Sequence, residues 1–135
     1  MPKGSCLCGK VTISYDADPA MKALCHCVDC RKMTGSAYST NVVVPSETFK
    51  VTGSPKVFTK VADSGNKAHS YFCGDCGCPL YRDSESFKGL LIVKAGCLDG
   101  EGALDAASPG AEMYAPERVS WQPEISGVQQ LKAME

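Results

Sequence analysis

Cys25-His26-Cys27-Val28-Asp29-Cys30-Arg31-Lys32-Met33-Thr34-Gly35-Ser36 sets three thiols within six residues and follows them with two cations. A one-residue and then a two-residue spacer lets three sulfurs converge on one ion from a single tight loop. Three protein ligands leave one position open, the arrangement of catalytic rather than structural zinc. Water or a substrate thiol fits that position, and zinc there would deprotonate the thiol at neutral pH and hold it as a nucleophile. Arg31 and Lys32 are placed to hold a substrate carboxylate. Thr34 and Ser36 offer hydroxyls to a polar ligand.

The rest of the chain is read against that loop. Nine of its 135 residues are cysteine. Besides Cys25, Cys27 and Cys30 there are two groups, Cys6 with Cys8 and Cys73 with Cys76 and Cys78; Cys97 stands apart. Cys73-Gly74-Asp75-Cys76-Gly77 has the spacing of a zinc knuckle, which supplies two of the four ligands that a closed tetrahedral site needs. Cys6-Leu7-Cys8-Gly9 is the matching pair, with its own trailing glycine. Cys6, Cys8, Cys73 and Cys76 together make a four-thiolate structural site, tying the N-terminus to the middle of the chain and contributing on the order of 10 kcal/mol to folding.

Length suits one domain with a modest core, spanning 1–135 with its centre at about 3–125. With 14 basic and 15 acidic residues the net charge is -1. That balance gives no electrostatic footprint for nucleic acid or a membrane surface. No stretch reaches the roughly 18 apolar residues of a membrane span. The N-terminal Met1-Pro2-Lys3-Gly4-Ser5 holds no apolar run of a secretory signal. A reducing, cytoplasmic setting is therefore expected, where clustered cysteines serve as metal ligands or catalytic groups more than as disulfides.

The pattern is mainly β. Val11, Ile13 and Tyr15 alternate with Thr12 and Ser14, as in a half-buried strand. Strands are expected over 38–44, 48–52, 56–61 and 68–73, with turns at 53–55 and 63–66. Leu90-Leu91-Ile92-Val93 reads as a central strand. Helical pieces are short, around 27–32 and 101–107. Residues 99–111 read as a flexible loop and the tail from Ser126 as polar and partly loose. Trp121 and Tyr114 read as core residues, with either able to wall a pocket.

Other readings stay open at this point. Either cysteine group could form disulfides, and the three-cysteine loop could be a redox pair with a spare thiol. His26 could replace a cysteine as a ligand, although its neighbours Cys25 and Cys27 would point the other way in extended chain. His69 reads as a strand residue rather than a ligand. Cys78 and Cys97 read as small buried hydrophobes, and Arg82 with Asp83 as a solvated surface pair.

Three motifs carry a family resemblance: Gly4-Ser5-Cys6-Leu7-Cys8-Gly9-Lys10-Val11, the Cys25–Ser36 stretch, and Phe72-Cys73-Gly74-Asp75-Cys76-Gly77. In order and spacing they resemble the glutathione-dependent formaldehyde-activating enzymes, which include the centromere protein V-like domains. Ala95-Gly96-Cys97-Leu98-Asp99 and Tyr114, Arg118 and Trp121 are similar to the family's later, looser motifs. The resemblance implies a small zinc-binding β fold of the Mss4-like type, two zinc ions and carbon–sulfur lyase activity. It implies the same division of ligands: Cys6, Cys8, Cys73 and Cys76 structural; Cys25, Cys27 and Cys30 reactive. The implied partner is a small thiol such as glutathione or its adduct. Membership does not by itself transfer a substrate. Two positions depart from the family pattern: Cys78 and Cys97 stand where small hydroxyl residues are usual. The alternative function is a non-enzymatic zinc module of the same fold that binds a protein partner.

Overall fold

The computed structural model describes residues 1–133. Two sheets share the β content. The smaller consists of β1 (Lys3–Ser5), β2 (Thr12–Tyr15) and β5 (Phe49–Thr52), in the order β1-β2-β5. The larger takes β3 (Met21–Cys25), β4 (Ser39–Pro45), β6 (Lys56–Val61), β7 (Lys67–Phe72), β8 (Pro79–Ser84), β9 (Leu90–Lys94), β10 (Ala111–Met113) and β11 (Gln129–Gln130). Its order is β11-β10-β3-β4-β9-β8-β7-β6. All pairings are antiparallel except those of β10, which runs parallel to β3 and to β11. Two short helices complete the list, α1 (Val28–Thr34) and α2 (Ala103–Ala106). None of the helices is long and apolar enough to cross a membrane among the described residues.

Alternation along the strands separates two faces of the large sheet. On one face Val42, Val44, Tyr81, Leu91 and Val93 meet Val11, Ile13 and Tyr15 of the small sheet, forming the main core. The other face is set by register. Cys25 pairs with Ser39, Ala23 with Asn41, Asn41 with Lys94, and Ile92 with Arg82. Ser70 pairs with Arg82 and Phe58 with Ser70. Since pairing partners share a face, this second face presents a row of polar and charged groups running out from Cys25. A second, smaller core of Ala23, Cys25, Cys30, Ala111 and Met113 anchors one end of it.

The expected strands at 11–15, 38–44, 48–52, 56–61, 68–73 and 90–93 and the helical pieces at 27–32 and 101–107 match observed elements to within a few residues. Leu90–Lys94 lies centrally, between β4 and β8. Three departures have clear causes. Pro45 closes β4 as its last residue instead of standing outside, since a strand end needs no further N–H. Ala111, expected in a loop, opens β10, which is held by strands distant in sequence. Trp121 is not core: it is 74% exposed, on a turn in the irregular segment between Pro116 and β11.

Gly4 shows how tightly the small sheet is seated. A Cβ there would stand 2.4 Å from the Cys97 carbonyl oxygen and 3.0 Å from its carbon. Both are backbone atoms that cannot swing away. Gly4→Ala is therefore expected to destabilise the protein by about 1–3 kcal/mol, read as a lowered urea midpoint at unchanged slope.

Candidate metal centre

Two similar turns build the first centre. The Gly9 N–H donates to the Cys6 carbonyl at 3.0 Å, and the Gly77 N–H to the Cys73 carbonyl at 2.8 Å. Both glycines have positive φ, 81° and 76°, which a side chain would resist. The two turns face each other, bringing the sulfurs of Cys6, Cys8, Cys73 and Cys76 within 4.8 Å of one another. Cys6 to Cys8 and Cys8 to Cys73 are each 3.6 Å. Four zinc–sulfur bonds of about 2.3 Å in a tetrahedron put sulfurs about 3.8 Å apart, so this donor set fits zinc without rearrangement. Burial pushes the Cys6 thiol up, but the Val11 N–H and the other three thiols outweigh it and lower it to about 6. The Lys10 N–H pulls the Cys8 thiol down, but burial and the thiols competing for the same charge outweigh it and drive it up to about 12.

The second centre comes from the end of β3 and the first turn of α1. Cys27 is the N-cap: its sulfur accepts from the Cys30 N–H at 3.3 Å. The helix stops where the Gly35 N–H donates to the Arg31 carbonyl at 2.8 Å. This turn gathers Cys25, Cys27 and Cys30 into a second group of converging sulfurs. The Cys30 thiol is held far below its usual range by hydrogen bonds from Cys25 and Cys27, then by the Lys94 charge and the Ser39 hydroxyl. Cys25 is pushed up by the same sharing. Three sulfurs around one negative charge are a donor set suited to a soft divalent cation.

A cavity of about 250 Å³ opens onto these three sulfurs, with Asn41, Arg82, Lys94 and Tyr114 in its wall. Tyr114 thus walls a pocket. Lys94 is only 5% exposed, and its ammonium donates to Asn41 Oδ1 at 2.8 Å. Asn41 is fixed in turn by donating to Ser39 Oγ and the Ala23 carbonyl. Burial lowers Lys94, while the thiols of Cys30, Cys25 and Cys27 pull it back up. A divalent ion on three thiolates would carry one net negative charge, which this ammonium would offset.

None of the expected substrate-contact residues lines that cavity. Lys32 lines a cleft beside it, and Thr34 and Ser36 line a third cavity with Cys78 and Cys97. Thr34 Oγ1 donates to the Cys30 carbonyl at 2.7 Å, so it also steadies the ligand loop. Arg31 is exposed and lines none of these three spaces. Cys78 and Cys97 meet each other, at 3.6 Å, rather than joining either centre. Cys97 Sγ donates to the Pro79 carbonyl at 2.8 Å, and burial pushes its thiol up to about 12. His69 bonds Thr59 at 2.9 Å and stands apart from both centres.

One pair differs from what the sequence suggested. Arg82 and Asp83 are not a surface pair, because successive strand residues point to opposite faces. Arg82 turns toward the thiol cavity, and Asp83 accepts from the Tyr71 hydroxyl at 3.3 Å. His26 is wholly buried and faces away from the sulfurs, 2.8 Å from Glu112 Oε1. Glu112, itself wholly buried, also accepts from Arg118, the Ile125 N–H and Gln130. One carboxylate therefore fixes the ligand loop from behind and fastens residues 118–130 to β10. Asn41, Arg82, Lys94 and Glu112 were not singled out from the sequence as site residues. A lone lysine ending the apolar run 90–93, and a lone glutamate between Ala111 and Met113, were the available signals.

Burial pushes the Glu112 carboxyl up, but the donors of Gln130, Ile125, His26 and Arg118 prevail and lower it to about 2. A carboxyl lowered on folding stabilises the fold fully above its ordinary value, and loses that contribution as pH falls through the folded one. Glu112→Gln is thus expected to destabilise the protein at pH 7 by up to about 3 kcal/mol. The difference from wild type should shrink below pH 4.5. Denaturant midpoints of both proteins at pH 7 and pH 3 check this.

The sequence profile of the family described as glutathione-dependent formaldehyde-activating enzyme matches residues 1–117. An Emericella nidulans protein provisionally given that name is 32% identical over 100 residues, covering 72% of this chain and 50% of its own length. A Penicillium rubens protein of the same provisional name is 30% identical over 100 residues, covering 72% and 52%. The chain thus spans about half the length of these relatives. A crystal structure of a Rhodobacter sphaeroides protein has the same fold, with a TM-score of 0.62 at 21% identity, over 77% of this chain and 94% of that one. A profile match over most of the chain, on a fold that gathers its cysteines as two centres, places this protein in the glutathione-dependent formaldehyde-activating enzyme family.

Proposed function

We propose that the protein is a carbon–sulfur lyase that makes or breaks the bond between a small thiol and a carbonyl carbon at Cys25, Cys27 and Cys30. The observation that carries this reading is the contrast between the two centres. One supplies four thiols from two facing turns; the other supplies three and opens onto a cavity. Bound zinc would supply Lewis-acid chemistry there, favouring the thiolate over the thiol. The three cysteines would hold the ion, and the cavity they face is open to the reacting thiol. Lys94, steadied by Asn41, keeps the local charge near neutral so that an anionic thiolate is not repelled. Tyr114 and Met113 shield one wall from water. Lys32, Thr34 and Ser36, with Arg31 at the exposed edge of α1, are candidate contacts for the remainder of the substrate.

Glutathione, or a related small thiol and its hydroxymethyl adduct, is the proposed substrate. The test is exchange of a ¹³C-labelled hydroxymethyl group between glutathione and formaldehyde, followed by NMR. Zinc-loaded protein is expected to speed the exchange well above its spontaneous rate. No acceleration with glutathione or other small thiols rejects the reading. A zinc-stabilised protein-interaction module is the second reading, favoured by Val57, Phe58 and Val61, exposed on edge strand β6. The concave cavity at the thiols favours the enzyme.

A further inference from the structure

Beside the thiol cavity, and sharing Arg82 and Lys94 with it, lies a cleft of about 380 Å³. Its floor is the polar face of the large sheet, where Phe58 of β6, Ser70 and Phe72 of β7, and Arg82 of β8 stand side by side. Its roof is α1, through Asp29, Lys32 and Met33. The roof is tied down at two points. Lys60 donates to Asp29 at 2.6 Å, and the Ser70 hydroxyl donates to Met33 Sδ at 3.2 Å.

The charges here do not balance. Asp29 is matched by Lys60. Arg82 and Lys94 have no carboxylate within ion-pair distance among the described residues. Arg82 Nε is buried without an acceptor. A buried donor left unpaired costs about 1–3 kcal/mol, so native structures rarely keep one without a use. Arg82 thus stands without a counter-charge in the wall between the thiols and a cleft whose remaining surface, Lys32 and Ser70 apart, is mostly carbon, from Met33, Phe58, Phe72 and Tyr81. A tripeptide thiol would bring amides that this surface cannot satisfy. An acid with an apolar body would leave nothing unpaired.

We propose that this cleft binds an amphipathic organic anion, its carboxylate on Arg82 and its apolar or aromatic body against Met33, Phe58 and Phe72. Joined to the lyase reading, on which the identity of the reacting end rests, this makes the substrate an adduct of an aryl or alkyl thiol acid. The thiol end reaches Cys25, Cys27 and Cys30 past Arg82. The anion site itself does not depend on that chemistry.

The test uses 3-phenylpropanoate, which carries no thiol, and its neutral amide, titrated into the zinc-loaded full chain with NMR detection. The acid is expected to bind at least about tenfold more tightly than the amide. Arg82→Met should erase that preference and Arg82→Lys restore part of it, each variant retaining the wild-type melting profile. Phe58→Ala, on an exposed side chain that the fold does not need, should weaken acid and amide alike by about fivefold. Equal binding of acid and amide, or full binding by both Arg82→Met and Phe58→Ala, overturns the inference. If the acid binds as expected while no thiol adduct is turned over, the anion site stands and the lyase reading falls. If glutathione adducts are turned over while the acid does not bind, the reverse holds.

Discussion

Replacing Cys73 by serine is expected to unfold the protein. Cys73 is buried in the main core, with its sulfur 3.6 Å from Cys8. It belongs to the buried side-chain link between the N-terminal turn and the β7–β8 connection, beside which lies only the exposed Lys10–Asp75 ion pair among the described residues. A structural zinc site contributes on the order of 10 kcal/mol to folding in small modules. Whole domains are stable by only about 5–15 kcal/mol. Losing one of four ligands removes much of that contribution and leaves three thiols crowded without a counter-charge. Circular dichroism should show no cooperative thermal transition, and the amide NMR spectrum should collapse. A cooperative melt within a few degrees of wild type would show that packing alone sustains the fold.

Cys27→Ser is expected to behave in the opposite way, abolishing activity while leaving the fold intact. Cys27 sits half-buried at the start of α1, where its sulfur caps the helix. Serine is among the best N-cap residues, so the cap survives the exchange and stability should change by less than about 1 kcal/mol. What is lost is one of three donors at an already incomplete centre. Changes in the shell beyond the ligands typically cost about 10–100-fold in metal affinity or activity, and loss of a ligand should exceed that. The hydroxymethyl-exchange assay, run beside a thermal melt, separates the two effects. A Cys27→Ser protein with wild-type exchange rates would place the chemistry elsewhere.

The contrast between these two cysteines was legible before any coordinates, because ligand number follows from spacing. Cys6, Cys8, Cys73 and Cys76 come as two pairs with trailing glycines, while Cys25, Cys27 and Cys30 come as one unpaired triplet. The strands were legible for a similar reason: β2, β4 and β9 each carry a local period or an unbroken apolar run. Lys94 and Arg82 were not, because their roles arise from register. Only the pairing of Asn41 with Lys94 and of Arg82 with Ile92 shows that both cations share the face that holds Cys25. Glu112 escaped for the same reason. Its partners, from His26 to Gln130, lie far along the chain in both directions, and a single acid in a short apolar stretch has no period to betray it. Trp121 misled because a large aromatic is a good core candidate on composition alone, whereas the turn that carries it never folds back onto a sheet.

The lyase reading leans on one claim: the seven clustered thiols form two centres with different tasks, one closed and one open. Zinc content of protein purified under reducing conditions tests that claim most directly. Wild type should bind two zinc ions per chain. Cys27→Ser should bind one and remain folded. A single zinc ion in wild type, with Cys25, Cys27 and Cys30 reacting as free thiols or joined in a disulfide, would contradict the account.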